Sequence, residues 1–267
     1  MRKMAIDGVR EYYSLPEVVT FCKKCVTSNQ RPRIEFDDDG VCNACNYAYK
    51  KHNVIDWGER ERELKDLLDR HRSKDGRHDV IVACSGGKDG SAVAHKLKHL
   101  YGMNPLTVTW APHLYTDIGR QNLQNFIDSG FDNILGTANG AVHRTLSKLT
   151  FEILGDPFQP FIYGQVAFPF RTSVNYNIPL VFYGENGEAE YGGSTKNEEM
   201  SGQPIEDFKD LYFSRLVADE FSEFGISKSD LSSYLMPSLK ELEKAKIEMH
   251  WFGYYTKWIP QENFYYA

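Results

Sequence analysis

Apolar positions along the chain form short β-branched runs that alternate with segments of helical spacing. The runs at residues 80–84, 105–110, 131–137 and 178–183 predict strands. Apolar residues three and four apart predict helices at 57–72, 92–100, 117–129, 141–154 and 161–176, the third stopped by Gly130. This alternation predicts an α/β fold with a doubly wound, mostly parallel sheet covered on both faces.

The first predicted strand runs directly into a glycine-rich loop that carries polar and charged side chains. Its residues are Ser85, Gly86, Gly87, Lys88, Asp89, Gly90 and Ser91. Adjacent glycines let backbone N–H groups face an anion, and the following helix adds the positive end of its dipole. Serine hydroxyls and Lys88 can bind phosphate oxygens, and Asp89 can hold a Mg²⁺ ion that bridges them. The loop therefore predicts a phosphate site, although neither the Walker nor the Gly-x-Gly-x-x-Gly spacing fits it.

This loop resembles the pyrophosphate loop, Ser-Gly-Gly-x-Asp-Ser, of ATP pyrophosphatases such as NAD synthetase, GMP synthetase and tRNA-modifying adenylating enzymes. Gly90 is a departure, because it separates Asp89 from the second serine. The resemblance implies a sheet of the PP-loop type, ATP as cofactor and pyrophosphate as leaving group. An oxygen of the second substrate would then attack the α-phosphorus and form an adenylate. The alternative is a plain glycine-rich turn.

Four of the five cysteines form two close pairs. Cys22-x-x-Cys25 and Cys42-x-x-Cys45 are separated by sixteen residues, which is typical of a structural four-thiolate Zn²⁺ site. The segment 33–41 between them predicts a short hairpin, too small to fold without the metal. A redox or sulfur-carrying pair is the alternative. We expect a zinc-ribbon domain at 1–56, a nucleotide-binding domain at 57–267, and Cys84 to be a buried apolar residue.

Composition limits the partners and the compartment. The net charge of −6 argues against a broad nucleic-acid surface. Apolar runs are too short to predict a membrane span, and the first residues do not have the pattern of a signal sequence. Paired cysteines suit a metal in a reducing compartment, so we expect a cytoplasmic protein.

A loop rich in glycine and carboxylates follows the fourth predicted strand. Because ligands bind beyond the carboxyl ends of parallel strands, Glu185 is the first candidate to share a Mg²⁺ ion with Asp89 or to orient a polar substrate. Asn186, Glu188 and Glu190 lie in the same loop, and a solvated acidic turn is the alternative.

Two further substrate candidates lie on the predicted helix at 161–176. They are Gln165 and Arg171, the latter suited to a carboxylate or phosphate, although such residues are also common on helix surfaces. The segment 195–246 shows no catalytic pattern, but Ser238 and Glu241 predict a capping box.

Several segments together resemble the N-acetyl sugar amidotransferases of bacterial surface-polysaccharide and pseudaminic-acid pathways. The matching parts are residues 21–26, 42–45, 85–91, 184–186, 190–193 and 251–255. The resemblance implies that ATP adenylylates the acetamido oxygen of an N-acetylated sugar or nucleotide sugar. Ammonia from a separate glutaminase subunit would then displace AMP and leave an acetamidino group.

On this interpretation Lys88, Asp89 and Glu185 are catalytic, and Gln165, Arg171, Asn186 and Glu188 contact the sugar. Relatives usually continue beyond residues 260–267, so we expect a shortened chain or an aromatic end covered by a partner.

Two other functions are compatible with the loop. A tRNA-modifying sulfurtransferase or lysidine-type enzyme would share it, but the sequence has no cysteine after Cys84 and no basic appendage for RNA. A non-catalytic nucleotide-binding subunit is the second alternative, against which Lys88 and Asp89 favour turnover.

Overall fold

The structure, a computed structural model, describes residues 6–267. Within that range the strands are β1 (Val80–Ala83), β2 (Pro105–Trp110), β3 (Asn133–Gly136), β4 (Leu180–Tyr183) and β5 (Glu248–Trp251). The longer helices are α1 (Ile6–Tyr12), α2 (Asn43–Asn53), α3 (Trp57–His71), α4 (Lys88–His95), α5 (Asp117–Asp128), α6 (Gly140–Leu154) and α7 (Gln159–Tyr176). Short helices follow, namely α8 (Gly187–Glu190), α9 (Phe208–Leu211), α10 (Lys228–Leu231), α11 (Leu239–Ala245), α12 (Phe252–Tyr255) and α13 (Pro260–Phe264).

The chain forms two compact units. The first contains the described part of Met1–Arg62 together with Glu185–Ser201 and Gly253–Trp258. The second contains Glu63–Gly184, Gly202–Phe252 and Ile259–Ala267. Helix α3 begins in the first unit and continues into the second.

The second unit is built on a fully parallel sheet with the strand order β3-β2-β1-β4-β5. Its centre is apolar because β1 is enclosed between β2 and β4, and Ile81 is completely buried against Val108 and Val181. The chain continues from β1 toward β2 on one side of the sheet, whereas β4 pairs with β1 on the other. Such a reversal opens a crevice at the carboxyl ends of the strands, which is where β1 leads into the glycine-rich loop.

The sequence-based elements are largely confirmed. Each of the four predicted strands is present, shortened by at most three residues, and the predicted capping box starts α11, where the Glu241 backbone N–H donates to Ser238 Oγ over 3.3 Å. The helix predicted to begin at Ala92 begins at Lys88, so the last four of the seven predicted loop residues form the first turn of α4. Strand β5 was not predicted.

The first unit contains little regular structure around the cysteines. The predicted hairpin reduces to a single antiparallel bridge between Phe36 and Cys42, closed by a turn in which the Gly40 N–H donates to the Asp37 carbonyl over 2.9 Å. A small apolar cluster of Cys22, Val41 and Cys42 forms its interior. Since this core is so small, most of the order here must come from polar contacts and from the cysteines.

No helix in the part of the chain that the structure describes is both long and apolar enough to cross a lipid bilayer.

Candidate functional site

The glycine-rich loop makes two close backbone contacts that require glycine. Gly86 has φ +79°, and a Cβ there would lie 2.6 Å from the backbone N and Cα of Leu123 in α5. Gly90 lies in the first turn of α4, and a Cβ there would lie 2.7 Å from the carbonyl oxygen of Ala83. At Gly87, by contrast, the nearest atom to an added Cβ is Ser85 Oγ at 3.6 Å. The loop is therefore pressed against β1 and α5 at its two flanking glycines and is open at Gly87.

The first turn of α4 presents backbone donors and a charged pair. Gly87 is the N-cap residue, so the N–H groups that follow it lie at a helix start, where they have no carbonyl four residues earlier to bind. Lys88 Nζ forms an ion pair with Asp89 Oδ2. The other carboxylate oxygen, Asp89 Oδ1, is buried and has no hydrogen-bond partner among the described residues. A hard cation satisfies such an oxygen, so the residues present fit the predicted Mg²⁺ site.

The two serines of the loop differ in exposure. Ser85 is exposed, whereas Ser91 is fully buried with its hydroxyl 3.8 Å from Cys84 Sγ. Cys84 is buried, as predicted, and this burial raises the pKa of its thiol to about 11. Ser85 is thus the hydroxyl available to a ligand in this conformation.

The four paired cysteines meet in the first unit. Their sulfur atoms all lie within 4.8 Å of one another, with Cys22 Sγ 3.9 Å from Cys45 Sγ and Cys25 Sγ 3.5 Å from Cys42 Sγ. Four thiolates about 2.3 Å from a tetrahedral Zn²⁺ ion would be separated by about 3.8 Å. The donor set and the spacing fit zinc, and four sulfur ligands close its coordination shell, which indicates a structural site.

Backbone N–H groups stabilise one of these sulfurs as a thiolate. The N–H groups of Lys24 and Cys42 each donate to Cys22 Sγ over 3.3 Å. Although desolvation raises the pKa of Cys22, these bonds outweigh it and hold the value at about 6. Desolvation and neighbouring sulfurs raise the pKa of Cys45 instead. A metal ion is what would allow all four thiols to lose their protons together.

The carboxylates of the predicted acidic loop are engaged within the first unit. Glu188 accepts two hydrogen bonds from the Arg33 guanidinium at 2.9 and 2.6 Å and one from the Ser194 N–H at 2.9 Å. Asn186 is buried, caps α8 and donates to the Asn197 carbonyl over 2.9 Å. Glu185 accepts a hydrogen bond from the Tyr191 hydroxyl over 3.3 Å. Their predicted contacts with substrate or Mg²⁺ stay predictions.

Glu190 forms the most buried ion pair of the loop. Its carboxylate lies 2.6 Å from Lys51 Nζ, and their side chains are 9% and 8% exposed. Lys51 also donates to the Trp258 carbonyl over 3.1 Å. Helix α2, helix α8 and the segment around Trp258 are thus joined by one buried ammonium group.

The structure separates the two substrate candidates on α7. Gln165 is exposed, whereas the Arg171 guanidinium donates to the Ser232 carbonyl over 2.7 Å. Since they are six positions apart, their side chains point about 120° apart around the helix axis. One flat ligand surface along α7 would not contact both.

A polar cluster that the sequence patterns did not single out lies at the carboxyl edge of the sheet. His143 Nε2 is 2.6 Å from His113 Nδ1, and His143 Nδ1 is 2.9 Å from the Tyr234 hydroxyl. His113 follows the end of β2 by three residues. The carboxyl-edge rule, applied to the second strand as well as to the first and fourth, would have pointed to it.

No protein-family model matches the chain. No curated protein matches it either. Among solved structures, an NMN synthetase from Francisella tularensis is 14% identical over 72% of this chain and 92% of its own, with a TM-score of 0.40. An NH3-dependent NAD synthetase from Campylobacter jejuni subsp. jejuni NCTC 11168, in complex with a nitrate ion, is 11% identical over 72% of this chain and 95% of its own, also with a TM-score of 0.40. At this TM-score neither likeness identifies an activity for this chain.

Proposed function

We propose that this protein is an ATP-dependent, adenylating synthetase of the PP-loop type and, more specifically, an N-acetyl sugar amidotransferase. The single observation that supports an ATP site most strongly is the buried Asp89 Oδ1, which has no hydrogen-bond partner within residues 6–267 and lies next to Lys88 at the start of α4. A cation-binding carboxylate next to an ammonium group, on a helix start that follows two glycines, suits a polyphosphate bound with Mg²⁺.

Each part of the loop would have a defined role in that reaction. Backbone N–H groups from Gly87 onward and the Ser85 hydroxyl would bind the β- and γ-phosphates. Lys88 would neutralise charge that develops on the departing pyrophosphate. Asp89 would hold Mg²⁺, which supplies Lewis-acid stabilisation of the phosphate oxygens when bound.

An amide oxygen is a reasonable acceptor for such a site. It attacks the α-phosphorus, the bond to the β-phosphate breaks, and pyrophosphate leaves with the electron pair. The resulting adenylate carries AMP on the former acetamido oxygen, and ammonia then displaces AMP to give an acetamidino group. We propose that a glutaminase partner supplies the ammonia, that Glu185 helps to hold Mg²⁺ or substrate, and that the reaction takes place in the cytoplasm.

The zinc cluster fits a structural role in this scheme. Four thiolates would leave no open coordination position, so we assign no step of the reaction to the metal. Cys22, Cys25, Cys42 and Cys45 would instead stabilise the small first unit, whose apolar interior is minimal.

The test is pyrophosphate release from ATP by the full chain, with MgCl2, ammonium chloride and UDP-N-acetylhexosamines as acceptors. We expect release that depends on the acceptor, and a product one dalton lighter than the acceptor by mass spectrometry. Release that requires tRNA instead would favour a tRNA-modifying enzyme. ATP binding without release under either condition would favour a nucleotide-binding subunit, and both outcomes would contradict the proposal.

A further inference from the structure

Three side chains in the second unit form a continuous hydrogen-bonded chain that the nucleotide loop does not use. His113 lies in the segment after β2, His143 lies on α6, and Tyr234 ends a short 3₁₀ turn, Ser232–Tyr234. The His113–His143 bond is 2.6 Å long and the His143–Tyr234 bond is 2.9 Å long. His113 is exposed, His143 is partly buried and Tyr234 is 2% exposed. The chain thus runs from the surface into the interior.

The segment that carries His113 is flanked by two contacts, one with the residue before the phosphate loop and one with the loop itself. Before it, Thr109 Oγ1 of β2 donates to the Cys84 carbonyl over 2.5 Å, directly before the loop. After it comes α5, whose backbone at Leu123 lies against Gly86. Since β1 and β2 are parallel, with Ala83 paired to Val108, both segments leave the sheet at the same edge. A group bound at the loop would therefore lie on the edge that presents His113.

On the basis of the proposed function, we propose that His113 is the general base that accepts a proton from the attacking ammonia nitrogen, and that Tyr234 acts as a positioning residue through His143.

The direction of these bonds sets which imidazole nitrogen of His113 is available, and both directions fit the distances, because the donor and acceptor nitrogens depend on the tautomer. Burial raises the pKa of Tyr234, so its hydroxyl stays protonated, and in the direction that the proposal requires its oxygen accepts a bond from His143 Nδ1–H. His143 Nε2 then carries no proton and accepts from His113 Nδ1–H. This leaves His113 Nε2 without a proton and facing away from the chain.

The surroundings of both rings favour the neutral form that a base requires. Burial and the nearby His113 lower the pKa of His143 to about 4, and burial also lowers the pKa of His113. The ring of Phe158 lies 5.5 Å from that of His113, and Phe161 lies 5.7 Å from it. These apolar rings are part of the surroundings that disfavour the charged form of the imidazole.

The proposed amination transfers one proton to His113 and releases AMP. Ammonia forms a C–N bond to the carbon of the protonated imidate adenylate, which gives a tetrahedral centre that bears –NH3⁺. One proton of this group moves to His113 Nε2, and the positive charge is shared with His143 across their short bond. The lone pair left on nitrogen expels AMP, whose oxygen takes the electron pair of the C–O bond, and an acetamidinium group remains.

One test needs no substrate. In the full chain with ¹⁵N-labelled histidine, NMR should show His113 at neutral pH with a proton on Nδ1 and none on Nε2. Tyr234→Phe should reduce that tautomer preference, because the acceptor for His143 is lost, while the circular dichroism spectrum stays the same. A His113 that carries its proton on Nε2, or that is charged at neutral pH, would overturn the proposal.

The second test separates adenylation from amination, with the acceptor that supports pyrophosphate release in the wild type. His113→Gln should retain acceptor-dependent ATP–pyrophosphate exchange but lose about 100-fold in ammonia-dependent amidine formation. Hydroxylamine, whose nitrogen loses its proton more readily after attack, should recover most of that loss. His78→Gln, a histidine that precedes β1 at the opposite edge of the sheet, is the matched control and should behave as the wild type.

The outcomes distinguish the two proposals. If the wild type shows no acceptor-dependent ATP–pyrophosphate exchange, the proposed function is contradicted, regardless of the result with His113→Gln. The NMR experiment then tests only the tautomers in the His113–His143–Tyr234 chain. A wild type that forms amidine while His113→Gln forms it equally fast contradicts the role of His113 and leaves the proposed function standing.

Discussion

Gly90 and Cys84 lie in direct backbone contact: a side-chain carbon on Gly90 would come within 2.7 Å of the Cys84 Cα. The glycine that interrupts the loop pattern is thus the residue that lets α4 start against the end of β1. Gly90 allows close packing, because the atoms nearest to it belong to the end of β1 and cannot shift without disturbing the sheet.

Gly90→Ala should lower the free energy of unfolding by about 1–3 kcal/mol, as overpacking does. A loss of stability would indicate a steric clash, since alanine in a helix is otherwise favoured over glycine by about 1 kcal/mol. Urea denaturation measures the change. Gly87→Ala is the control and should cost less than about 1 kcal/mol, the loss expected for alanine at an N-cap, because its Cβ would meet nothing nearer than Ser85 Oγ at 3.6 Å. Equal stability of the two variants would contradict the packing role of Gly90.

Asp89→Asn should reduce acceptor-dependent pyrophosphate release about 100-fold, because a neutral amide is a weak ligand for Mg²⁺. Raising the MgCl2 concentration should restore part of the rate. The measurement is release over a magnesium series, with the unfolding midpoint as the check on folding. A variant with the wild-type rate and the wild-type magnesium dependence would rule out Asp89 as a metal ligand.

Zinc analysis should find one ion per chain in the wild type and a strong reduction in Cys22→Ser, which removes one of four thiolates. Elemental analysis of protein purified without chelators makes this measurement. Cys84→Ala is the matched control, because Cys84 lies in the second unit, outside the cluster, and should leave the zinc content unchanged. Zinc retained at full stoichiometry by Cys22→Ser would contradict the site.

Two adjacent lysines should differ sharply when replaced. Lys51→Met leaves the Glu190 carboxylate buried without its cation and should cost about 3–5 kcal/mol. Lys50→Met breaks a bond of the same 2.6 Å length to Glu198, but Lys50 is 47% exposed, so the cost should stay below about 1 kcal/mol. Urea denaturation measures the free energy of unfolding of both variants. Similar losses of stability would show that burial does not determine how much these ion pairs contribute.

The Arg33–Glu188 pair should make part of the stability depend on pH. Burial opposes ionisation, but the bonds from Arg33 and Ser194 hold the pKa of Glu188 below its usual value. Its contribution is therefore complete above the usual glutamate pKa and is lost as the pH falls through the lowered one. The stability difference between wild type and Glu188→Gln should be about 1 kcal/mol near pH 7 and should shrink in acid. A difference that stays constant with pH would contradict this assignment.

Local patterns were sufficient for the central strands and for the cysteine cluster. Apolar β-branched runs such as Val80–Ala83 are buried on both faces, as their composition predicts. The spacing within each cysteine pair is itself typical of a metal site, so it predicted the cluster. Strand β5 was missed because its four residues, Glu248–Trp251, alternate polar and apolar side chains and include no β-branched residue, unlike the equally short β1. The start of α4 was misplaced because a glycine in a helix is usually a breaker, whereas Gly90 is there for packing.

The partners of the acidic loop were beyond any local pattern. Glu188 binds Arg33 and Glu190 binds Lys51, pairs that are 155 and 139 positions apart in the sequence. The sequence does not distinguish a carboxylate that pairs with a distant cation from one that binds a ligand. The His113–His143–Tyr234 chain was missed for the same reason, since its members are separated by 30 and 91 positions.

The first unit draws on three separate stretches of the sequence, which limits how the gene can be divided. A fragment that ends at residue 62 would keep all four cysteines but lose both Glu190 and the Trp258 carbonyl, the two groups that bind Lys51 Nζ. It would leave the Lys51 ammonium group without these partners and would expose the surface of α2 that α8 covers. Transfer of the first unit to another protein would therefore require all three stretches to be inserted together. We expect the first unit to be inherited with the rest of the chain.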